Sequence, residues 1–474
     1  MISTAVKPKL KVVADVSVID EATCDFAYCG KLVSTPNGGY GFVPGADVSP
    51  ELLYKFMPYS RSHDPVWFRK NGVGPLSDLL PIKGSMVDIK LRHLLNGFGA
   101  HHDGRKLEAL IKSGSISKHG IRLDCASVQT TRDKAIVEKM KLSAGNFTEM
   151  KGSLASILPL IKSGRDIDLM TGNDSYLNLI KKSMGHSNLL IKVEDGGKSK
   201  FLKMDASLNN IDELMLEIIA NKVAIASGCD APATEMHKIK SPNGEAVNVL
   251  LMDDFSEKNI GGFPLELRKL SIATALGKTD DDIHNMNYAE ISAGIENLEL
   301  LTNNPSELRI EQNKEAIFKW ALLNSAMNNT DNHGRNLEIL IDDGHPVVAP
   351  LFDMKFSHAK EDMSTYIDGD PPIHHIDILN DAEVHVLHDQ VGLEGDFESA
   401  LNIRNNIVNG ILTVPSICTE LGVQRHEINI IAQAVGIQSL SLGRGLKKSL
   451  QIELSRAKNN SRDVESESSV STSM

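Results

Sequence analysis

The stretch N-N-T-D-N-H-G-R-N, residues 328–336, follows an apolar segment at 317–327 and precedes a strand-like segment at 337–341. The apolar segment predicts a buried helix. A polar loop between two buried elements is fixed at both ends. We therefore expect Asp331 and Asn336 to be held in defined positions, and the sequence on either side to form the core that holds them.

A second polar site follows close behind this loop. The segment A-P-L-F-D-M-K-F-S, residues 349–357, places Asp353 at a strand end, 17 residues after Asn336. Carboxylate and amide oxygens are the ligands that Mg²⁺ prefers, and Asp331 is placed to accept a proton from a substrate. These are parts that phosphoryl transfer requires. The alternative for either motif alone is a polar turn without chemistry.

Upstream, the order of predicted elements is strand, strand, helix and strand. Residues 189–193 and 200–204 flank the turn at 194–199, which predicts a hairpin. A helical pattern covers 211–226, and a third strand at 248–252 leads into Asp253-Asp254-Phe255. This is the element order of the amino-terminal lobe of a kinase.

The motifs NNTDNHGRN and APLFDMKFS resemble the catalytic and metal-binding motifs of HipA-family serine/threonine kinases, the toxin components of bacterial type II toxin–antitoxin systems. The resemblance implies that Asp331 is the catalytic base and that Asn336 and Asp353 bind Mg²⁺. His333, between Asp331 and Asn336, is included with the catalytic residues, in an orienting role. The resemblance covers residues 180–360 with specific motifs, and residues 28–85 more loosely.

The same resemblance implies the ATP contacts. Lys203, in the second hairpin strand, resembles the family's ATP-anchoring lysine, and Glu217, on the following helix, would orient it through an ion pair. Asp253 and Phe255 lie in the segment that resembles the family's adenine-contacting link, where the backbone makes the hydrogen bonds. The alternatives are a solvated strand lysine and an exposed helix carboxylate.

Residues 183–188 take the place of the phosphate loop. Ser183, Gly185 and Ser187 are expected to contact the phosphates of ATP, through backbone amides near the glycine. Ser183 also aligns with the serine that some family members autophosphorylate. The phosphate would repel the nucleotide. The alternative is ordinary turn chemistry.

The fold class that follows is α+β. We expect a bilobal kinase-like fold with a β-rich N-terminal lobe, including an extra small β subdomain, and an all-helical C-terminal lobe. The expected units are a small β subdomain at 1–90, a mainly helical connecting segment at 91–182, the kinase N-lobe at 183–262, the helical C-lobe at 263–458 and a disordered tail at 459–474.

The connecting segment contains one further pattern. Residues 107–140 show helix, turn and helix spacing that suits a DNA-reading unit,. Such helix pairs also occur widely without touching DNA, so direct nucleic-acid contact is one alternative and a purely structural helix pair is the other. The formal net charge of −12 argues against a chain whose whole surface grips nucleic acid,.

Composition points to a cytoplasmic protein without a membrane segment. The chain has 474 residues and 41% hydrophobic content, without an apolar run of about 18 residues or a secretory core at its start,. The odd number of cysteines suits a reducing compartment. They are Cys24, Cys29, Cys125, Cys229 and Cys418.

The function expected from these features is phosphorylation of a protein substrate with ATP and Mg²⁺ as cofactors. The resemblance implies a translation-related or other cytoplasmic substrate, autophosphorylation, and a small DNA-binding antitoxin as partner. One alternative is a weakly active or inactive nucleotide-binding regulatory module, because residues 183–188 depart from the family's phosphate loop. Another is a metal-dependent hydrolase built on Asp331, His333 and Asp353.

Overall fold

The computed structural model describes residues 10–59, 63–69, 72–80, 102–112, 116–125, 145–146, 189–204, 213–240, 246–260, 263–278, 282–357, 363–369, 371–374, 376–423 and 425–438. Ser183, Gly185 and Ser187 lie outside these residues, as does the expected tail at 459–474. What the sequence predicts for them stays a prediction. Within the described residues, no helix combines the length and apolar character that a membrane span needs.

The first part of the chain forms a six-stranded sheet. Its strands are β1 (Lys11–Asp20), β2 (Asp25–Ser34), β3 (Tyr40–Pro44), β4 (Val66–Trp67), β5 (Ile116–Lys118) and β6 (Ile121–Cys125). The spatial order is β4-β3-β2-β1-β6-β5. Gly38 closes the turn between β2 and β3 at a φ of 81°, where glycine is unstrained,.

Three helical segments pack on this sheet and close its core. They are α1 (Pro50–Phe56), a 3-10 helix (Gly74–Leu79) and α2 (Asp103–Lys112). Their apolar side chains meet those of the strands in one buried cluster that includes Val16, Leu32, Phe42, Leu53 and Leu107. The small β subdomain expected from the sequence therefore has a hydrophobic core of its own.

Strands β5 and β6 correct the prediction for residues 91–182. The predicted helix around Leu107 exists as α2, but the chain then forms a β-hairpin, so the mainly helical prediction is wrong for residues 116–125. The helix-turn-helix interpretation of 107–140 fails over the same residues. The overlooked signal is the turn His119-Gly120, both at positive φ, between strands with alternating buried side chains,.

A second sheet follows in the order β10-β11-β9-β8-β7. The elements of this part are β7 (Gly145–Asn146), β8 (Leu189–Asp195), β9 (Lys198–Met204), α3 (Glu213–Ala226), β10 (Thr234–Lys240) and β11 (Ala246–Asp253). The predicted hairpin is confirmed as β8 and β9, which turn at Gly196 and Gly197 with φ of 60° and 80°. Strand β10, a partly exposed edge strand, was not predicted.

The remainder is rich in helices but is not all-helical as predicted. Its elements are β12 (Glu257–Ile260), β13 (Phe263–Glu266), β14 (Arg268–Ser271), α4 (Ile272–Ala275), β15 (Met286–Asn287), α5 (Tyr288–Leu300), α6 (Glu307–Met327), β16 (Glu338–Asp342), β17 (His345–Val348), β18 (Thr365–Tyr366), α7 (Asp381–Val391), α8 (Phe397–Leu412), α9 (Val414–Leu421) and α10 (Arg425–Gln438). The predicted strands near 337–341 and 347–349 are confirmed as β16 and β17. They form a sheet with β14, which was not predicted.

Buried polar contacts join the first sheet to the later elements. Arg268 donates from Nε to the carbonyl of Lys55 and from Nη2 to that of Pro75, both at 3.2 Å. Asp78 accepts from the backbone N–H of Ser271 at 2.9 Å and from the hydroxyl of Thr274 at 2.9 Å. Asp78 thereby reinforces the N-terminus of α4 from a different unit of the fold.

Lys118 in this interface predicts a pH dependence of stability. Burial lowers the pKa of its ammonium from 10.5 to about 7, although Asp78 and Glu266 oppose the shift. Above about pH 7 the unfolded chain therefore binds more protons than the folded one. We expect the free energy of unfolding to rise with pH from about 7 toward 10.5, by at most about 1.4 kcal/mol per pH unit,.

Urea unfolding at about pH 7, 8 and 9 measures this dependence. Lys118→Met should flatten the rise, whereas Lys31→Met, at an exposed position on β2, should keep it. Equal slopes in all three proteins would show that Lys118 is charged in the folded state throughout this range.

Candidate active site

Helix α6 delivers the chain into the loop of the first motif. Asn328 ends the helix in the left-handed conformation, with a φ of 51°, and donates its backbone N–H to the carbonyls of Asn324 and Ser325. Asparagine tolerates this backbone conformation better than most residues. Asn329 then donates its side-chain Nδ2 to Asn324 Oδ1 at 2.7 Å. The loop thus leaves the helix in a fixed direction.

Asn332 ties the middle of the loop to β18. The hydroxyl of Thr365 donates to the Asn332 carbonyl at 2.6 Å, and the Thr365 backbone N–H donates to Asn332 Oδ1 at 3.2 Å. Both residues are fully buried. Because buried amides cost free energy unless they are bonded, these contacts select one loop conformation.

Asn336 turns back toward Asp331. Its Nδ2 donates to the Asp331 carbonyl at 2.6 Å, and its backbone N–H donates to the His333 carbonyl at 2.8 Å. With the amide nitrogen engaged, Oδ1 is the atom that Asn336 offers to a cation. The side chain of Asp331 is 39% exposed, which leaves its carboxylate accessible to a substrate.

His333 lies behind the Asp331 carboxylate. Its Nε2 is 3.5 Å from Asp331 Oδ1, and its Nδ1 accepts from the backbone N–H of Arg335 at 3.2 Å. Burial lowers the pKa of the imidazole, although Asp331 opposes the shift. A neutral ring fixed by the backbone fits the orienting role expected for His333.

Lys203, Glu217 and Asp353 meet in direct contact. Lys203 Nζ donates to Glu217 Oε2 at 2.6 Å and also contacts Asp353 Oδ1. Burial alone would lower the pKa of Lys203, but the two carboxylates outweigh it and raise that pKa. The structure therefore contains the predicted Lys203–Glu217 ion pair. Lys203 also pairs with Asp353, which lies 150 positions further along the sequence.

Asp353 adopts an uncommon backbone conformation just after β17. Its φ is 56°, in the left-handed region that few non-glycine residues occupy,. Such conformations cost about 1–3 kcal/mol and concentrate at functional sites. The carboxylate is thereby held against Lys203, with 14% of the side chain exposed.

Lys355 connects this group with the catalytic loop and was not singled out by the sequence analysis. Its Nζ is 3.7 Å from Asp331 Oδ2 and 3.4 Å from Glu213 Oε2. Burial would lower the pKa of its ammonium, but Asp331, Glu213 and Asp353 together raise it. Lys355 therefore interacts electrostatically with both Asp331 and Asp353.

The predicted adenine segment follows β11. The backbone N–H of Asp253 donates to the Ala233 carbonyl at 2.9 Å, so this donor is already used within the fold. The Phe255 ring stacks on Phe352, next to Asp353, with centroids 5.2 Å apart, and meets Phe201 edge-on at 5.6 Å. The Phe255 side chain is therefore part of a small core beside the site.

Arg335 anchors the loop to the first unit of the fold. It is buried, and its guanidinium donates to the carbonyl of Leu80 at 3.1 Å and to that of Ser77 at 3.2 Å. In the sequence Arg335 is one more polar residue of the motif. Nothing local indicates that its partners lie more than 250 positions upstream.

Comparisons with known proteins identify the family and the fold of this chain. A family model described as a HipA-like C-terminal domain matches residues 153–409. HipA of Shewanella oneidensis MR-1, solved with HipB and operator DNA, matches with a TM-score of 0.52 and 12% identity over 92% of this chain and 99% of that chain. The chain therefore has a mixed helix-and-sheet fold of the HipA type.

The chain belongs to the HipA-like family, because the family model covers more than half of it. The family resemblance of the two motifs is thereby confirmed. The Helicobacter pylori proinflammatory kinase CtkA matches with a TM-score of 0.35 and 12% identity, over 57% of this chain and 95% of that chain. No curated protein matches the sequence.

The Arg335 contacts predict a loss of stability on substitution. Arg335→Met removes the donors to two carbonyls in a buried interface, so we expect the free energy of unfolding to fall by about 2–4 kcal/mol. Urea unfolding checks this value. Arg122→Met, which removes a half-exposed guanidinium on β6, should cost less than about 1 kcal/mol. Similar costs for both variants would contradict the anchoring role.

Proposed function

We propose that this chain is a serine/threonine protein kinase that uses ATP and Mg²⁺. One observation carries the proposal: a buried lysine on β9 pairs with a carboxylate on α3 and with Asp353, the acidic residue of the second motif. This is the combination with which protein kinases hold ATP phosphates and metal. Family membership supports the same function.

Lys203 holds the nucleotide phosphates in this proposal. Its ammonium is oriented by Glu217 at 2.6 Å, so little side-chain freedom would be lost when phosphate oxygens bind,. Ser183, Gly185 and Ser187 would contact the same phosphates. Asp253, the last residue of β11, and Phe255 would line the adenine end of the nucleotide site. Asp253 would contact the base through groups other than its backbone N–H, which is already bonded within the fold.

The donor set fits a magnesium ion. Asn336 Oδ1 and the Asp353 carboxylate are hard oxygen ligands, and Asp353 already attracts the ammonium of Lys203,. Mg²⁺ bound by these two residues would neutralise charge on the phosphates during transfer. The sequence motifs and the geometry of the loop both support the proposal that Asn336 and Asp353 bind the ion.

Asp331 acts as the base. Its exposed carboxylate takes the proton of a serine or threonine hydroxyl as the oxygen of that hydroxyl bonds to the γ-phosphorus. His333 keeps the carboxylate in place from its buried side. The Asn336 contact to the Asp331 carbonyl couples the position of the base to that of the metal ligand.

The biological setting proposed here is that of a toxin with a small DNA-binding antitoxin partner. The support is family membership and the fold shared with HipA, which was solved together with HipB and operator DNA. A translation-related or other cytoplasmic protein is the proposed substrate, and Ser183 the proposed site of autophosphorylation.

The test is incubation of the purified chain with ATP radiolabelled in the γ-phosphate and Mg²⁺, alone and with an extract of its host. We expect labelled protein with the unmodified chain. Asp331→Asn should reduce the rate by about 10²–10⁴-fold, because the proton acceptor is lost. Asp47→Asn, at an exposed position between β3 and α1, should leave it unchanged.

Other outcomes identify the alternatives. ATP binding without labelled protein favours the nucleotide-binding regulatory module. Release of labelled phosphate without labelled protein favours the hydrolase. An Asp331→Asn chain that labels proteins as fast as the unmodified chain would contradict the proposed role of the base.

A further inference from the structure

Lys355 lies where the two halves of the candidate site meet. It follows Asp353 by two residues, and its Nζ is 3.7 Å from Asp331 Oδ2. The side chain is 29% exposed, so the ammonium is accessible to a ligand in the site. Within the described residues, the ion pairs of the Asp331 carboxylate are with His333 and Lys355.

The distance between Lys355 Nζ and the Asp331 carboxylate bears on the capacity of Asp331 to accept a proton. At 3.7 Å the ammonium attracts the carboxylate without a hydrogen bond of ordinary length,. The Asp331 oxygen therefore keeps its capacity to accept a proton, while a positive charge stands beside the place where the substrate hydroxyl would arrive. Lys203, in contrast, is engaged directly by two carboxylates.

We propose that Lys355 is a further catalytic residue, whose ammonium contacts the γ-phosphoryl group as it passes from ATP to the substrate hydroxyl beside Asp331. This inference rests on the proposed kinase function and goes beyond the residues that the motifs assign. The ligand class it recognises is a nucleoside triphosphate, through the terminal phosphate.

The hydroxyl oxygen of the substrate forms a bond to the γ-phosphorus, and its proton moves to the Asp331 carboxylate. The bond from the γ-phosphorus to the β,γ-bridging oxygen breaks, and the electron pair stays on ADP. Negative charge spreads over the γ-phosphoryl oxygens in transit, where a fixed ammonium stabilises it more than in the ground state.

A purely structural role is the competing explanation. Lys355 also pairs with Glu213, the first residue of α3, at 3.4 Å, and this contact alone would tie the second motif to the helix that carries Glu217. The variant Glu213→Gln removes that ion pair and leaves Lys355 beside Asp331. It is therefore the matched control for Lys355→Met.

The kinetic test compares the initial rate of phosphoryl transfer at varied ATP. We expect Lys355→Met to lower kcat by about 10²-fold with a smaller change in KM for ATP, because the contact strengthens in the transition state. Lys355→Arg, which keeps the charge, should recover part of the loss. Glu213→Gln should stay within about threefold of the unmodified chain. Equal losses in Lys355→Met and Glu213→Gln would overturn the proposal.

A binding test separates this inference from the kinase proposal. Titration with AMP-PNP and with ADP, both with Mg²⁺, measures the preference for a terminal phosphate without any turnover. Lys355→Met should reduce that preference by about tenfold relative to the unmodified chain. An unchanged preference overturns the role of Lys355 even if the chain is an active kinase. A reduced preference supports that role even if no protein is labelled.

Discussion

The ammonium of Lys203, buried between two carboxylates, is the interaction on which the candidate site depends. Removing an ammonium from water costs several kcal/mol, and a single partner repays this poorly. Glu217 and Asp353 both contact it, one from α3 and the other from the loop after β17. The second sheet, a helix and the second motif must therefore come together before this charge can be buried.

The loop at 328–336 is fixed by a different kind of interaction, a set of buried amide and guanidinium hydrogen bonds. Asn332 binds Thr365, and Arg335 binds carbonyls beside the 3-10 helix of the first unit. Such networks are costly when partly satisfied, so they define one geometry. The 3-10 helix that packs on the six-stranded sheet is thereby part of the support of the candidate site, although the sheet contributes no predicted site residue.

Local signals were sufficient for part of the fold. The hairpin of β8 and β9 and the strands β16 and β17 follow from short-range patterns, and the Lys203–Glu217 ion pair was expected from the family resemblance. The hairpin of β5 and β6 was missed because the helical spacing around Leu107 was extended across the turn His119-Gly120. The contacts of Arg335 and Lys355 depend on partners that are distant in the sequence. A single sequence does not show which distant group will lie beside each of these charged side chains.

The charges around the site explain why a nucleotide would need a metal here. Glu213, Glu217, Asp331 and Asp353 supply four carboxylates, whereas Lys203 and Lys355 supply two ammonium groups. A formal excess of two negative charges would repel the phosphates of ATP at these distances. The two lysines alone do not reverse that sign. If ATP binds here as proposed, a divalent cation bound with it would offset the repulsion, and Lys355 would then face the terminal phosphate beside an Asp353 whose charge is neutralised.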